Sequence, residues 1–176
     1  MTLPRKEALF MKLRIAGFVD DSVVDGDGCR FTIFVQGCPH HCPHCQNPET
    51  HDFDGGFEID TSEILKKINE NPLLSGITLS GGEPFCQPEP LTELAKKAHE
   101  AGLSVWVYSG STLEQLESKN DREINALLSE SDVLVDGPYI HDKRDLTLRF
   151  RGSRNQRVID LNRTRREKRA VLLYDD

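Results

Sequence analysis

Residues Gly37-Cys38-Pro39-His40-His41-Cys42-Pro43-His44-Cys45-Gln46-Asn47 carry three thiols at a C-x3-C-x2-C spacing, and no fourth cysteine follows nearby. A structural metal site closes itself with four protein ligands, whereas a reactive one keeps a position open. Three thiolates can hold three irons of a four-iron cluster and leave the fourth iron for a small molecule. That suits chemistry better than scaffolding. Taken alone, the run also fits a Cys3His zinc site, with His40, His41 or His44 supplying the nitrogen. Cys29 and Cys86 stand apart; Cys29 has no spacing partner and reads as structural, and Cys86 reads as a small buried apolar residue or, alternatively, a labile thiol near the cluster. Five cysteines so distributed are no disulfide framework; in a reducing compartment such a cluster binds metal or does redox work.

The elements that must position these residues alternate between β and α. Arg30–Val35 is a β-rich run that ends at Gln36-Gly37, directly before the cysteines. Thr61–Asn71 reads as a helix, with Asp60, Thr61 or Ser62 as cap and Ile64, Leu65 and Ile68 on one face. Ser75–Ser80 is a short strand that runs into Gly81-Gly82-Glu83. Pro88–Ala101 is a helix stopped at Gly102. Leu103–Tyr108 is a strand, Thr112–Ser129 a single helix, Asp132–Asp136 a strand and Arg157–Leu161 a short one. This alternation implies a parallel sheet with crossover helices. The four segments with chemical potential, at Gly37, Ser80-Gly81-Gly82, Tyr108-Ser109-Gly110 and Asp136-Gly137, all follow strands. In parallel α/β folds that edge holds the site.

The chain has 176 residues, short of the roughly 250 of a complete eightfold barrel. The expectation is therefore one α/β domain, residues 1–176, built as a partial (open) β/α barrel with a mostly parallel sheet. Its core spans about 13–161, followed by a basic tail at 162–176. The cations Arg163, Arg165, Arg166, Lys168 and Arg169 read as a solvated face or disordered end. A net charge of −7 argues against nucleic-acid binding through a basic surface. No apolar run reaches the 18 or so residues of a membrane helix, and Met1–Phe10 lacks a secretory apolar region. These features predict a cytoplasmic protein.

The cysteine run followed by Ser80-Gly81-Gly82-Glu83-Pro84 resembles the radical S-adenosylmethionine (SAM) enzymes. That resemblance implies a [4Fe-4S] cluster on Cys38, Cys42 and Cys45, with SAM chelating the open iron. It implies reductive cleavage of SAM to methionine and a 5′-deoxyadenosyl radical. It assigns Gly81-Gly82-Glu83 to the SAM amino group, with Ser80 adding a hydroxyl and Glu83 either touching the ligand or anchoring its loop. It places His44 near the adenine, Gln46 where close relatives carry an aromatic, and Tyr108 among the cofactor contacts.

Val24-Asp25-Gly26-Asp27-Gly28-Cys29-Arg30 resembles the Val-Asp-Gly-Pro-Gly-x-Arg entry of glycyl-radical-enzyme activases, with Asp27 replacing proline. Asn47-Pro48-Glu49-Thr50, Asp136-Gly137-Pro138-Tyr139 and Arg149-Phe150-Arg151-Gly152-Ser153-Arg154-Asn155-Gln156-Arg157 extend the likeness from Leu13 to Leu161. Over that span the chain resembles the activating proteins of anaerobic ribonucleoside-triphosphate reductases. The implied partners are that reductase's glycyl-radical subunit and a flavodoxin or ferredoxin donor. Read without the resemblance, 149–157 is a charged loop. The competing readings are another small radical SAM enzyme, either an activase of a different glycyl radical enzyme or one like a deazaguanine synthase, and a zinc-binding interaction module.

Overall fold

The computed structural model describes residues 10–175. Most of Met1–Phe10, on which part of the localisation reading rests, lies outside the described residues.

Seven strands form one sheet. They are β1 (Lys12–Ser22), β2 (Arg30–Val35), β3 (Phe57–Asp60), β4 (Gly76–Gly81), β5 (Ser104–Tyr108), β6 (Val133–Asp136) and β7 (Arg157–Asp160). Their spatial order is β3-β1-β2-β4-β5-β6-β7. Neighbours β2, β4, β5 and β6 are mutually parallel, while β1 and β7 run against them. β3 is antiparallel to β1 and so shares the direction of β2. The sheet is thus open and mostly parallel, as the β/α alternation implies. Helices α1 (Thr61–Glu70), α2 (Pro88–Glu100), α3 (Leu113–Ser118), α4 (Arg122–Ser129) and α5 (Leu161–Glu167) complete the fold.

Side chains alternate across a strand, so each strand contributes to two faces. Phe31, Ile33, Val35, Ile77, Leu79, Val105 and Val107 pack with Ile64, Leu91, Leu94, Leu116 and Leu127 from the helices in the main core. Trp106, Val133, Val135 and Val158 form a smaller cluster with Tyr108, Phe150, Leu173 and Tyr174. Arg30, only 1% exposed, belongs to this second side. Its guanidinium donates to the Thr78 hydroxyl, to the carbonyls of Asp27, Ile77 and Ser104 and to the Ser104 hydroxyl. Burial pulls its pKa down to about 10, and these five bonds keep the cation in place. They also explain the Val24–Arg30 turn. A side chain at Gly26 would sit 2.8 Å from Arg30 and Trp106.

Two features differ from the sequence reading. The helix expected over Thr112–Ser129 is two helices. Asn120 takes φ 47°, and the Asp121 carboxylate accepts from Glu123 N and Ile124 N to start α4 afresh. β1 and β3 were not foreseen, because they lie at one end of the sheet, half exposed, where bulges at Ile15/Gly17 and Val19/Ser22 break the alternation. The basic run is a solvated face, one of the two readings it was given, and not a loose end: Arg163, Arg165, Arg166, Lys168 and Arg169 are all exposed. Asp160 caps α5 through Arg163 N, and Arg165 donates to the carbonyls of Leu128 and Ser131. Residues 170–173 then lie along β7, with Val171 buried.

At the amino edge of the sheet Asp132 joins four elements. From its place just ahead of β6, its carboxylate accepts from Val105 N of β5, from Asn162 of α5 and from the His99 ring of α2. Burial opposes the charge, but the bonds from Asn162, His99 and Val105 outweigh it and hold the carboxyl below the usual carboxylate range. A depressed folded-state pKa contributes stability that is present above the unfolded pKa and lost as pH falls through the folded one. Chemical denaturation at stepped pH should therefore show wild type losing stability on acidification below the ordinary carboxylate range. Asp132→Asn should be weaker at neutral pH and should lose less over the same interval.

Candidate active site

The cysteine loop leaves β2 at Gln36-Gly37 and is pinned at its start. Gly37 N donates to Thr50 O at 2.8 Å and Cys38 N to His51 O at 3.2 Å. Gly37 takes φ 98°, and a Cβ there would lie 2.4 Å from the Phe53 ring, so the position demands glycine. Gln36, 3% exposed, donates its amide to the carbonyls of Glu49 and Asp52 and holds the returning segment. Further along, His41 and His44 adopt left-handed φ values of 47° and 59°, and Cys45 N closes a turn on Cys42 O. Cys38 is buried, while Cys42 and Cys45 are half-buried; Cys86, expected to be buried, is exposed, because the short turn Pro84–Cys86 buries Pro84 and Phe85 instead. Burial pushes the Cys38 thiol up. Asn47 N donates to the Cys45 sulfur at 3.4 Å, the kind of bond that tunes a metal-bound thiolate. Among the described residues no three His, Cys, Asp or Glu side chains gather closely enough to enclose a single ion. Three thiols without a fourth cysteine in the loop are a donor set whose chemistry suits an iron–sulfur cluster.

The loop after β4 is stitched onto the cysteine loop. Gly82 N donates to Val35 O at 2.8 Å, and Glu83 N to Gly37 O at 2.9 Å. Both glycines are sterically required. A Cβ would fall 2.6 Å from the Phe34 backbone at Gly81, where φ is 91°, and 2.4 Å from Gly37 O at Gly82. The Glu83 carboxylate, 4% exposed, then binds three loops at once. Oε2 accepts from His40 Nε2 at 2.6 Å, from Ser109 Oγ at 3.0 Å and from Gly110 N at 3.0 Å. Oε1 accepts from Phe85 N at 3.1 Å. A Cβ on Gly110 would lie 2.5 Å from His40. Of the two roles left open for Glu83, its bonds make it the anchor. His40, read from the sequence only as a polar loop residue or zinc ligand, is the member of this cluster that sequence reasoning missed.

The remaining candidates lie around this junction. Ser80 pairs with Phe34 in the β2–β4 register, one residue before Gly81. Tyr108 gives its hydroxyl to Phe150 O at 2.7 Å, and burial pushes its phenol far up. The His44 ring lies 4.3 Å from that of His141, and Gln46 Nε2 would be 3.3 Å from a Cβ on Gly152. Residues 149–157 thus lie beside the cysteine loop, and they are tightly bonded. Gln156 accepts from Gly152 N and Ser153 N and donates to Gly137 O. Asn155 donates to Pro138 O. Arg157 pairs with Glu114 and with Asp136, which also caps α3 through Leu113 N. The charged loop of the unaided sequence reading is a loop that runs into β7, and its hydrogen bonds make it a brace.

Removing the Glu83 carboxylate would strand several buried donors, at about 1–3 kcal/mol each. Glu83→Ala should lower stability by roughly 3 kcal/mol or more. It should also cut iron and sulfide incorporation on anaerobic reconstitution. Thermal unfolding together with iron and sulfide assay checks this.

A model of the 4Fe-4S single cluster domain family matches residues 24–159. The anaerobic ribonucleoside-triphosphate reductase-activating protein of Escherichia coli strain K12 is 33% identical over 145 residues, covering 77% of this chain and 91% of that protein. The pyruvate formate-lyase-activating enzyme of Clostridium pasteurianum is 39% identical over 95 residues, covering 51% of this chain and 40% of that enzyme. Among solved structures, QueE from Escherichia coli superposes with a TM-score of 0.47 at 18% identity, over 57% of this chain and 53% of that one. That last likeness is too loose to carry any argument. The family match and the similarity over nearly the full length of the first relative show that this chain belongs to the 4Fe-4S single cluster domain family and to the family of anaerobic ribonucleoside-triphosphate reductase-activating proteins.

Proposed function

We propose that this protein is an activase that installs a glycyl radical on an anaerobic ribonucleoside-triphosphate reductase. The observation that carries the reading is the Glu83 junction, which fixes the three-cysteine loop, the Gly81-Gly82 turn and the Ser109-Gly110 turn at one edge of the sheet. When bound, a [4Fe-4S] cluster supplies the electron that splits SAM into methionine and a deoxyadenosyl radical, which takes a hydrogen atom from a glycine Cα of the partner.

The chain's own residues have the following parts. Cys38, Cys42 and Cys45 would hold the cluster as thiolates and would leave one iron free for the SAM amino and carboxylate groups. Backbone carbonyls of the Gly81-Gly82 turn accept hydrogen bonds from the N–H groups of the SAM amino group, with Ser80 beside them. His44, 4.3 Å from His141, offers an imidazole surface to the adenine. Gln46 and Tyr108 border the same pocket through their contacts with the 149–157 brace. Walls of buried side chains behind these groups keep water from the radical. Strands β3 and β7 end the sheet without pairing to each other, so the substrate, a segment of a large protein, can approach an open-sided site.

The electron donor we propose is a flavodoxin or ferredoxin, and the reaction belongs in the cytoplasm. Among the described residues no helix is long and apolar enough to cross a membrane. The net charge of −7 supports a role without nucleic acid. Similarity to a pyruvate formate-lyase-activating enzyme favours, as second reading, an activase of a different glycyl radical enzyme.

Anaerobic incubation of the reconstituted protein with reductant, SAM and the reductase should give a glycyl-radical resonance on the reductase with about equimolar 5′-deoxyadenosine. The same mixture with a pyruvate formate-lyase in place of the reductase should give none. Cys42→Ala should abolish cluster binding and SAM cleavage together. An intact, active cluster in that variant would overturn the ligand assignment, and a radical on the lyase alone would favour the second reading.

A further inference from the structure

The family match ends at residue 159, and the chain continues into a structured strap. After α5, Asp160 N donates to Val171 O at 2.9 Å, Leu172 bridges Ile159 and Leu173 N donates to Val158 O at 2.7 Å. The strap then leaves β7 and reaches the turn between β1 and β2, where the Tyr174 hydroxyl donates to Asp27 Oδ2 at 2.5 Å. Asp27 stands where the activase-like turn carries proline, which could not accept this bond. Burial and the Asp27 carboxylate push the Tyr174 phenol up to about 12, so its hydroxyl stays a donor at neutral pH.

Tyr174 touches the site through Phe150. Arg149 lies over the Tyr174 ring at 5.1 Å, and the Phe150 ring centroid is 6.1 Å away. Phe150 packs edge-on against Trp106 at 5.3 Å. Its backbone is left-handed, φ 57°, a conformation that a bulky residue keeps only when its surroundings over-determine it. Those surroundings are two tyrosines, Tyr174 against the ring and Tyr108, whose hydroxyl donates to the Phe150 carbonyl at 2.7 Å. Two residues on, Gly152 lies so near the cysteine loop that a Cβ on it would be 3.3 Å from Gln46 Nε2. Neighbouring residues therefore lead from the amino-edge turn to the carboxyl-edge site.

We propose that Tyr174 and Asp27 form a latch that positions the SAM pocket, with Tyr174 acting as a positioning residue through Phe150 on Tyr108 and on the brace beside Gln46. The proposal rests on the reading that these residues border bound SAM. It reaches beyond the shared family region, because the strap follows that region and its acceptor is the residue that departs from the family turn.

Trp106 is the single tryptophan of the chain, so its emission reports the latch directly. The experiment compares wild type with Tyr174→Phe, Asp27→Ala, the double variant and Asp27→Asn, all cluster-loaded and anaerobic. It reads Trp106 emission and SAM affinity, the latter by titrating the paramagnetic signal of the reduced cluster. Tyr174→Phe and Asp27→Ala should each red-shift the emission and weaken SAM binding at least about fivefold. The double variant should be no worse than either single one, and Asp27→Asn, which keeps an acceptor oxygen, should retain most of the affinity. An emission shift with unchanged SAM affinity would make the strap purely structural and overturn the proposal. Unchanged emission would deny the latch itself. Wild type that fails to bind SAM would instead overturn the functional reading on which the proposal stands.

Discussion

A buried carboxylate with four donors around it holds this site together. Glu83 is nearly inaccessible to solvent, and a charge so placed is tolerable only when its oxygens are fully used. The donors come from three loops, each following a different strand of the parallel sheet. That requirement couples local geometry to chemistry. His40 must face inward from the cysteine loop, Gly110 must lack a side chain to admit the His40 ring, and the Gly81-Gly82 turn must press against Gly37. The cysteines are thus presented by a frame whose rigidity comes from elsewhere in the chain.

The two edges of the sheet follow one design. At the carboxyl edge Glu83 gathers the loops that react. At the amino edge Asp132 gathers β5, α2 and α5, and Arg30 fixes the turn before β2 with carbonyl and hydroxyl acceptors. Between them, one face is a continuous aliphatic core under the helices. The other is a smaller aromatic cluster sealed by Phe150 and the strap. An open sheet leaves that second face exposed unless something covers it. The strap does so, with Leu173 and Tyr174 packed against that cluster.

Legibility in the sequence followed the range of the interactions. The cysteine spacing, the Gly81-Gly82 turn and the β/α alternation are local, and they could be read directly. Glu83 was legible as a ligand contact or as the anchor of its own loop, but not as the tie between three loops, because three of its four donors are 26 or more residues away. His40 was hidden for the same reason, its partner being 43 residues distant. The break at Asn120-Asp121 did have a local signal, a residue tolerant of left-handed backbone followed by a strong N-cap, and it was passed over beneath a continuous helical pattern. In the last segment, five cations drew attention away from Val171-Leu172-Leu173, the apolar run that lies along β7.

The central claim is that three cysteines hold a cluster with one iron open to SAM. Electron paramagnetic resonance of the anaerobically reconstituted, reduced protein, recorded with and without SAM, tests it most directly. The account predicts a four-iron signal whose g-values change when SAM is added. A silent sample with stoichiometric zinc would contradict it, and so would a four-iron signal indifferent to SAM.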